Sequence, residues 1–366
     1  MKKDKEEKRV VLAVIADAHI GNFAAHGGEE KAGLNERCQL CLRSLRAAVK
    51  KAIEKKASML VVAGDLFDKR RPEPAVIAAV QRVFADEAGD LPVLLIPGNH
   101  DMLEAQATEG NTACEPLYQV ATVVREPGWY GIGGAYQVLA VPYNSVKPMR
   151  EHLAEVLKQR VLRNSLGILV THVGVYDDKS PPWCKGAGDA IHVQDLMELM
   201  EETHYEAAFV GNFHQHHVWG GKTEKVDEPL IVQVGALCPT GHADAGFYPF
   251  VGGLSLYDGE KHWMEEIPGP RFYTHLAKGE PGTVVEGEST IEIGGPLVSH
   301  SEIEQAIGNH LFVREAPVKE VAVELPEQAR SAEEAIEAHV NAMKLPEGVQ
   351  TSEVLKTTLR FWKGAA

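Results

Sequence analysis

Side chains of the kinds that bind metals recur along the first two-thirds of the chain, each set close behind a short apolar run. The sets are Asp17 and His19 in DAHIG, Asp65 and Asp68 in GDLFD, Asn99, His100 and Asp101 in GNHD, His172 in TH, and Asn212 and His214 in GNFH. Carboxylate oxygen combined with imidazole nitrogen suits Mn²⁺, Fe²⁺ or Zn²⁺ better than Ca²⁺. The pattern therefore predicts a site for two divalent metal ions, which together can activate water and stabilise an in-line displacement at phosphorus.

The apolar runs alternate with helical patterns, which predicts an α/β fold with a largely parallel sheet. The predicted strands span residues 10–17, 59–65, 91–101, 136–143, 166–172, 207–212 and 230–236. Amphipathic periodicity predicts a helix over 34–56, and another helix is predicted over 74–88. Asp258-Gly259 predicts a hairpin turn between two later strands. Because active sites in open α/β sheets form beyond the carboxyl ends of the strands, the five motifs are expected to form one site.

The pattern changes near residue 271, and this change predicts two domains. Residues 9–270 form the larger one, and residues 271–366 form a small α+β domain that mixes short strands with helices. Ser331 and Glu334 have the spacing of a capping box at the start of one of these helices. The final helix candidate, 351–362, is amphipathic and either closes the small domain or docks on a partner.

Composition limits the class of protein. The 366 residues carry a formal net charge of −15, which disfavours a nucleic-acid partner unless basic residues gather locally, as Lys69, Arg70 and Arg71 do. No apolar run approaches the roughly 18 residues of a membrane span, and the charged start lacks the pattern of a signal peptide. Cys38 and Cys41 lie within a helical pattern and are interpreted as core residues, so a reducing compartment is expected.

Taken together, the motifs resemble those of the calcineurin-like metallophosphoesterase superfamily. Its pattern is D-x-H, G-D-x-x-D/H, G-N-H-D/E, H and G-H-x-H, and the order and spacing agree over residues 10–221. Within the superfamily, DAHIG, GDLFD and PGNHD look most like the SbcD-type DNA repair nucleases, including phage versions. The resemblance implies a four-layer αββα sandwich with the metals at one edge and a small C-terminal cap domain.

The resemblance also implies roles for individual residues. One metal would be held by Asp17, His19 and His214, the second by Asn99 and His172, and Asp65 would bridge the two. His100 would touch the scissile phosphate and either stabilise charge or protonate the leaving oxygen. Asp101 is expected to orient the imidazole of His100, and Asp68 either shapes the site or has a structural role.

Asn212 departs from the superfamily pattern, which has histidine at this position to complete the second metal site. An asparagine side chain offers only a carbonyl oxygen, a weaker ligand for such ions. The second metal is therefore expected to bind more weakly than usual, or Asn212 to select Mn²⁺. A shifted register would make His216 a ligand instead, but the retained Gly211-x-x-His214 spacing favours the unshifted alignment.

The expected function is that of a metal-dependent DNA phosphodiesterase in DNA repair or recombination, with Mn²⁺ as the expected metal. The resemblance implies 3′-to-5′ exonuclease and single-strand endonuclease activities, a homodimer, an SbcC-like coiled-coil ATPase partner and a cytoplasmic location in a bacterium or phage-infected cell. One alternative is a metallophosphoesterase acting on a nucleotide, a cyclic nucleotide or a phosphoprotein, which the net charge favours. Another is a catalytically weak scaffold of the same fold, for which Asn212 is the supporting feature.

Overall fold

The computed structural model describes residues 10–24, 27–104, 111–132, 136–144, 146–158, 166–185, 188–222, 227–240, 253–277 and 311–317. Its helices are α1 (Glu36–Glu54), α2 (Pro74–Glu87), α3 (Met149–Val156), α4 (Pro182–Lys185) and α5 (Val193–Thr203), with a 3₁₀ turn at Glu115–Leu117. Its strands are β1 (Leu12–Ile15), β2 (Glu30–Lys31), β3 (Leu34–Asn35), β4 (Met59–Ala63), β5 (Val93–Ile96), β6 (Thr122–Val123), β7 (Gly128–Ile132), β8 (Tyr136–Val141), β9 (Leu166–His172), β10 (Gly174–Tyr176), β11 (Ala190–His192), β12 (Tyr205–Gly211), β13 (His217–Lys222), β14 (Asp227–Gln233), β15 (Gly253–Tyr257), β16 (His262–Glu266), β17 (Arg271–Ala277) and β18 (Leu311–Pro317).

Two six-stranded sheets form the centre of the fold. The first has the order β16-β15-β1-β4-β5-β6 and the second the order β13-β14-β12-β9-β8-β7. In the first sheet β1, β4, β5 and β6 are parallel, and β15 and β16 add antiparallel strands at one edge. In the second sheet β8, β9, β12 and β14 are parallel, and β7 and β13 are antiparallel edge strands. The predicted parallel sheet is thus divided into two mixed sheets.

Successive side chains of a strand point to opposite faces, and this alternation builds the layers. In β1, Leu12 and Val14 belong to the core cluster that also contains Phe209 of the second sheet. Ala13 and Ile15 of the same strand lie in the cluster with α1 and α2, and a third cluster joins the other face of the second sheet to α3 and α5. The four-layer αββα architecture is therefore confirmed.

Local sequence features explain where the two long helices begin. The side chain of Asn35 accepts a hydrogen bond from the Cys38 N–H at 2.9 Å and caps α1, as asparagine at this position commonly does. Pro74 occupies the first turn of α2, where its missing N–H costs little. Cys38 and Cys41 are buried free cysteines in the core beneath α1, which confirms their interpretation as core residues.

The predicted hairpin at Asp258-Gly259 is present, with Tyr257 of β15 paired to His262 of β16. The chain divides into two compact units, Met1–Ala316 and Pro317–Ala366. The two helices predicted in the C-terminal region lie outside the described residues, and the domain boundary at residue 271 stays a prediction. Among the described helices, none has the length and apolar character needed to span a membrane.

Candidate metal centre

The carboxyl ends of five strands, three from the first sheet and two from the second, bring the motif residues together. Asp17 and His19 follow β1, Asp65 follows β4, and Asn99 and His100 follow β5, whereas His172 ends β9 and His214 follows β12. Contacts join the two sheets at this edge: Nδ1 of His172 lies 2.9 Å from the Ala63 carbonyl, and the Asn212 N–H is 3.1 Å from each Asp17 carboxylate oxygen. The rule that active sites form beyond strand ends holds for both sheets.

Backbone strain is concentrated among these residues. Asp17, His19, Asp65 and Asn212 have φ angles of 51°, 43°, 50° and 88°, in the left-handed region that non-glycine residues seldom adopt. Aspartate, asparagine and histidine tolerate this region better than β-branched residues do. Such strain costs on the order of 1 kcal/mol or more per residue and persists where the surrounding structure imposes it, often at functional sites.

The ligand-type atoms form three overlapping groups, each with its atoms within 4.8 Å of one another. The groups are Asp17, His19 and His214; His19, Asp65 and His100; and Asp17, Asp65 and His172. Nε2 of His19 lies 3.1 Å from Nε2 of His214. Oδ2 of Asp65 lies 3.7 Å from Nε2 of His19 and 3.4 Å from Nε2 of His172. Asp65 therefore lies between His19 and His172, which the resemblance assigns to different metals.

The electrostatics of the cluster fit a cation. Burial disfavours charge on His172, but the nearby carboxylates of Asp65 and Asp17 outweigh burial and raise the pKa of His172 to about 10. For Asp65, burial alone would raise the pKa, but the nearby His172, His19 and His100 hold the pKa of this carboxyl well below its ordinary value. Burial lowers the pKa of His19 to about 3. Without an ion, protonated His172 is the positive partner of these buried carboxylates; a bound metal ion would take over that role and keep the imidazole unprotonated.

The side-chain orientations agree with metal ligation. Because the Ala63 carbonyl accepts a hydrogen bond from Nδ1 of His172, Nε2 of this ring faces the cluster, and metal-bound histidines are commonly oriented by such a contact on their other nitrogen. The amide oxygen of Asn99 lies 2.9 Å from that Nε2. Turning the amide over would place its nitrogen 3.1 Å from Oδ2 of Asp65, but a cation would favour the oxygen-inward orientation because it needs acceptors. The residues therefore fit a divalent metal.

Two glycines allow the motif loops to approach each other closely. Gly64 has φ 91°, and a Cβ at this position would lie 2.0 Å from Nδ1 of His172. A Cβ at Gly98 would lie 2.2 Å from Oδ1 of Asp65. Both distances are far below van der Waals contact, so a side chain at either position would displace a residue of the candidate site.

His100 is held over the cluster by backbone contacts. Its N–H donates to Oδ1 of Asp65 at 2.9 Å, and its Nδ1 lies 2.7 Å from the carbonyl oxygen of Asp68. A carbonyl can only accept, so Nδ1 carries the proton in this contact and the ring turns Nε2 away from it. The ring meets that of His19 edge to face, with centroids 5.0 Å apart. Asp68 thus contributes to the site through its backbone.

The Asp101 carboxylate contacts backbone groups of two neighbouring loops, and its predicted role in orienting the His100 imidazole stays a prediction. The buried carboxylate accepts hydrogen bonds from the backbone N–H groups of Leu66, Phe67 and Gly98 at 2.9–3.1 Å. Asp101 therefore joins the loop after β4 to the loop after β5, and the Asp68 carbonyl contacts His100. The motif pairs His100 with Asp101 in the sequence but does not show which backbone groups surround each side chain.

The side chains of Asn212 and His216 make contacts with backbone carbonyls outside the cluster of proposed ligands. The side-chain amide of Asn212 donates to the Asp189 carbonyl at 3.2 Å. Nδ1 of His216 lies 3.1 Å from the Val234 carbonyl, and its ring stacks on that of His262 with centroids 5.7 Å apart. The shifted register that would make His216 a ligand is therefore not supported, because its ring is turned toward β14 and β16.

Tyr143 is a neighbour of the site that the motifs did not reveal. It follows β8, its ring lies 6.5 Å from that of His172, and its backbone N–H donates to Pro97. Burial raises the pKa of Tyr143, as do the nearby carboxylates of Asp189 and Asp65, while Arg70 opposes the shift. The position of Tyr143 just after a strand is the signal in the sequence that points to the site, since tyrosine is not part of the metal-binding motifs.

This fold and this cluster define a metallophosphoesterase. The family model for the calcineurin-like phosphoesterases matches residues 10–217, and the chain belongs to that family. The match begins just before β1 and ends at the first residue of β13, so it contains every motif of the candidate metal centre. This match confirms the resemblance of the motifs to the calcineurin-like metallophosphoesterase superfamily.

Curated relatives include archaeal DNA double-strand break repair proteins named Mre11. The protein from Methanosarcina mazei is 21% identical over 213 residues, which cover 57% of this chain and 31% of the relative. The protein from Aeropyrum pernix is 30% identical over 174 residues, covering 43% of this chain and 39% of the relative. The chain thus spans less than half the length of these relatives. A purple acid phosphatase from yellow lupin seeds is 14% identical with a TM-score of 0.42, covering 68% of this chain and 48% of that one.

Proposed function

We propose that this protein is a metal-dependent DNA phosphodiesterase of the SbcD type. The observation that carries the proposal is Asp65, which lies between the two sets of ligand atoms while His100 is held beside them by its own backbone contact to Asp65. The likeness to proteins named for DNA double-strand break repair supports a nuclease over other phosphoesterases. By the same analogy, we propose that the protein forms a homodimer and binds an SbcC-like coiled-coil ATPase.

One metal would be held by Asp17, His19 and His214 and the other by Asn99 and His172, and Asp65 would contribute to both sites. When bound, two such ions, with Mn²⁺ preferred and Fe²⁺ or Zn²⁺ as alternatives, lower the pKa of water and stabilise charge on phosphate oxygens. The Asp68 carbonyl keeps the proton of His100 on Nδ1 when the ring is neutral. Nε2 carries a proton only in the imidazolium form, and from that form it can donate to a phosphate oxygen or to the leaving oxygen.

A phosphodiesterase that acts on DNA needs local positive charge, since the whole chain carries −15. Arg70 is exposed on the loop after β4 and is near enough to Tyr143 to affect its pKa. Lys69 is paired with Glu73 at 3.2 Å. Arg70 is therefore the residue proposed to contact the DNA backbone near the cluster.

Replacing Arg70 by alanine is expected to weaken duplex binding and to reduce the salt dependence of binding. Losing one phosphate contact lowers the slope of log K against log salt by about 1. The measurement is fluorescence anisotropy with a cleavage-resistant phosphorothioate duplex over a range of NaCl concentrations. Arg82→Ala, an exposed arginine of α2, is the matched control, and equal slopes for the two variants would contradict the role of Arg70.

The proposed effect of Asn212 is weak binding of the second metal. Asn212→His introduces the imidazole of the family pattern at a φ of 88°, which histidine tolerates. We expect tighter Mn²⁺ binding by calorimetry and half-maximal activity at a lower Mn²⁺ concentration, because imidazole is the stronger ligand. Asn212→Ala, which loses the hydrogen bond to Asp189 without gaining a ligand, is the control. Identical metal dependence in wild type and Asn212→His would refute this effect.

Substrate assays distinguish the proposed function from its alternatives. The protein is incubated with Mn²⁺ and a labelled DNA duplex, a labelled single strand, or bis-p-nitrophenyl phosphate. Cleavage of DNA supports the nuclease. Cleavage of the small ester alone indicates a phosphoesterase for nucleotides or phosphoproteins, which the acidic net charge favours. No turnover with Mn²⁺, Fe²⁺ or Zn²⁺ indicates a scaffold.

A further inference from the structure

A cavity of about 220 Å³ opens beside the candidate metal centre, on the side of His214. One wall is the segment after β12 together with β13, and the other is the loop between β10 and α4. We call it the base pocket and define it by its main lining residues: Asp177, Phe213, His214, Gln215, His217 and Trp219. Because His214 is both a proposed metal ligand and part of the wall, a molecule in the pocket would lie next to the cluster.

Three side chains with aromatic rings, Phe213, His217 and Trp219, line this space. The rings of His217 and Trp219 lie with centroids 4.2 Å apart. Phe213 packs so closely on Gly174 that a Cβ there would lie 2.5 Å from the phenyl ring. Nε1 of Trp219 donates to Oδ2 of Asp177 at 3.3 Å, which holds the orientation of the indole. These contacts hold the lining rings in place, and aromatic rings are the groups on which nucleobases stack.

The charges around the pocket favour an uncharged occupant. Asp177 remains ionised, because hydrogen bonds from Ser180 and Trp219 outweigh its slight burial and lower its pKa. Lys179 also lines the pocket and balances this charge. The amide of Gln233 is committed to the backbone of Val175 and Gln215. A phosphate would meet the Asp177 carboxylate here, whereas an uncharged planar heterocycle could pack on the aromatic side chains of Phe213, His217 and Trp219.

We infer that the base pocket binds a nucleobase of the nucleotide whose phosphate lies at the metal centre. The inference rests on the proposed function, since it identifies a base-bearing substrate for that same site. Phe213 lies between Asn212 and His214 in the chain, so the stacking surface is covalently tied to the segment that provides a proposed ligand. Base stacking without hydrogen-bond readout is sequence-tolerant, as a nuclease of general specificity requires.

Binding measurements test the inference independently of cleavage. Calorimetry on the Mn²⁺-loaded protein compares thymidine 5′-monophosphate with 2-deoxyribose 5-phosphate, which has the same phosphate and sugar but no base. We expect the base to tighten binding about tenfold in wild type. Trp219→Ala should remove most of this difference and leave the affinity for the base-free phosphate unchanged. Trp129→Ala, which removes a partly buried tryptophan of β7 in the same sheet, should behave like wild type.

Because Trp219 also packs on the core, Trp219→Ala could impair folding, and a second variant is therefore needed. His217→Ala removes the exposed ring that packs on Trp219 and should reduce the advantage of the base by a smaller factor. Equal affinity for the two ligands in wild type, or an advantage of the base that persists in both pocket variants, would overturn the inference. Tighter binding of oligothymidylate than of the mononucleotide identifies a DNA strand as the source of the base, and equal binding identifies a free nucleotide.

The same proteins separate this inference from the proposed function. If DNA is not cleaved but the base still tightens binding in a Trp219-dependent way, the proposed function fails and the base pocket stands. If DNA is cleaved and wild type binds the two ligands equally, the proposed function stands and the base pocket is wrong.

Discussion

Asp65→Ala is expected to abolish phosphodiester cleavage, with a loss of about a thousandfold or more. Oδ2 of Asp65 is the carboxylate oxygen that lies within 3.7 Å of imidazole nitrogens from both proposed ligand sets, those of His19 and His172. Its Oδ1 also accepts the backbone N–H of His100. Removing this carboxylate therefore takes away the proposed bridge between the metals and a contact that positions the residue proposed to act on the phosphate.

The measurement pairs cleavage of bis-p-nitrophenyl phosphate with calorimetry of Mn²⁺ binding. In Asp65→Ala we expect fewer bound metal ions, weaker binding of those that remain, or both. Asp86→Ala is the matched control, because it removes an exposed aspartate from α2 without touching the cluster. Full Mn²⁺ binding with two ions in Asp65→Ala would show that Asp65 is not the bridging ligand.

His100→Asn is expected to lower kcat by about 10²- to 10⁴-fold, the range typical of a lost acid or charge-stabilising group, while Mn²⁺ binding stays close to wild type. Asparagine has no group that can transfer a proton at neutral pH. The backbone N–H of residue 100 remains available to Asp65, so the loop geometry should be preserved. Loss of turnover with the metal retained would show that His100 contacts the phosphate and is not a metal ligand.

The distinction is needed because His100 also belongs to a group of possible ligands with His19 and Asp65. A loss of bound metal in His100→Asn comparable to that in Asp65→Ala would assign His100 to the metal instead. His204→Asn is the matched control: His204 is exposed, lies after α5 at φ 64°, and asparagine tolerates that conformation. Its kcat should equal that of wild type.

The fold was predictable from sequence to the level of layers and motif positions. The strand predicted over 166–172 coincides with β9 (Leu166–His172), because its apolar run ends sharply at the candidate ligand. The strand predicted over 91–101 is shorter in the structure, where β5 spans Val93–Ile96, because Pro97 and Gly98 already belong to the loop. The division into two sheets came from family resemblance, since strand patterns alone do not state which strands pair across long separations.

The sequence by itself determined which residue types stand at the strand ends, since their spacing is a local property of the chain. Only the tertiary structure decided what those residues contact. It directed Asp101 to three backbone N–H groups, Asn212 to Asp189 and His216 to Val234, and it brought Tyr143 beside His172. These contacts join segments that are distant along the chain, and their geometry depends on how two sheets pack, which no local pattern encodes.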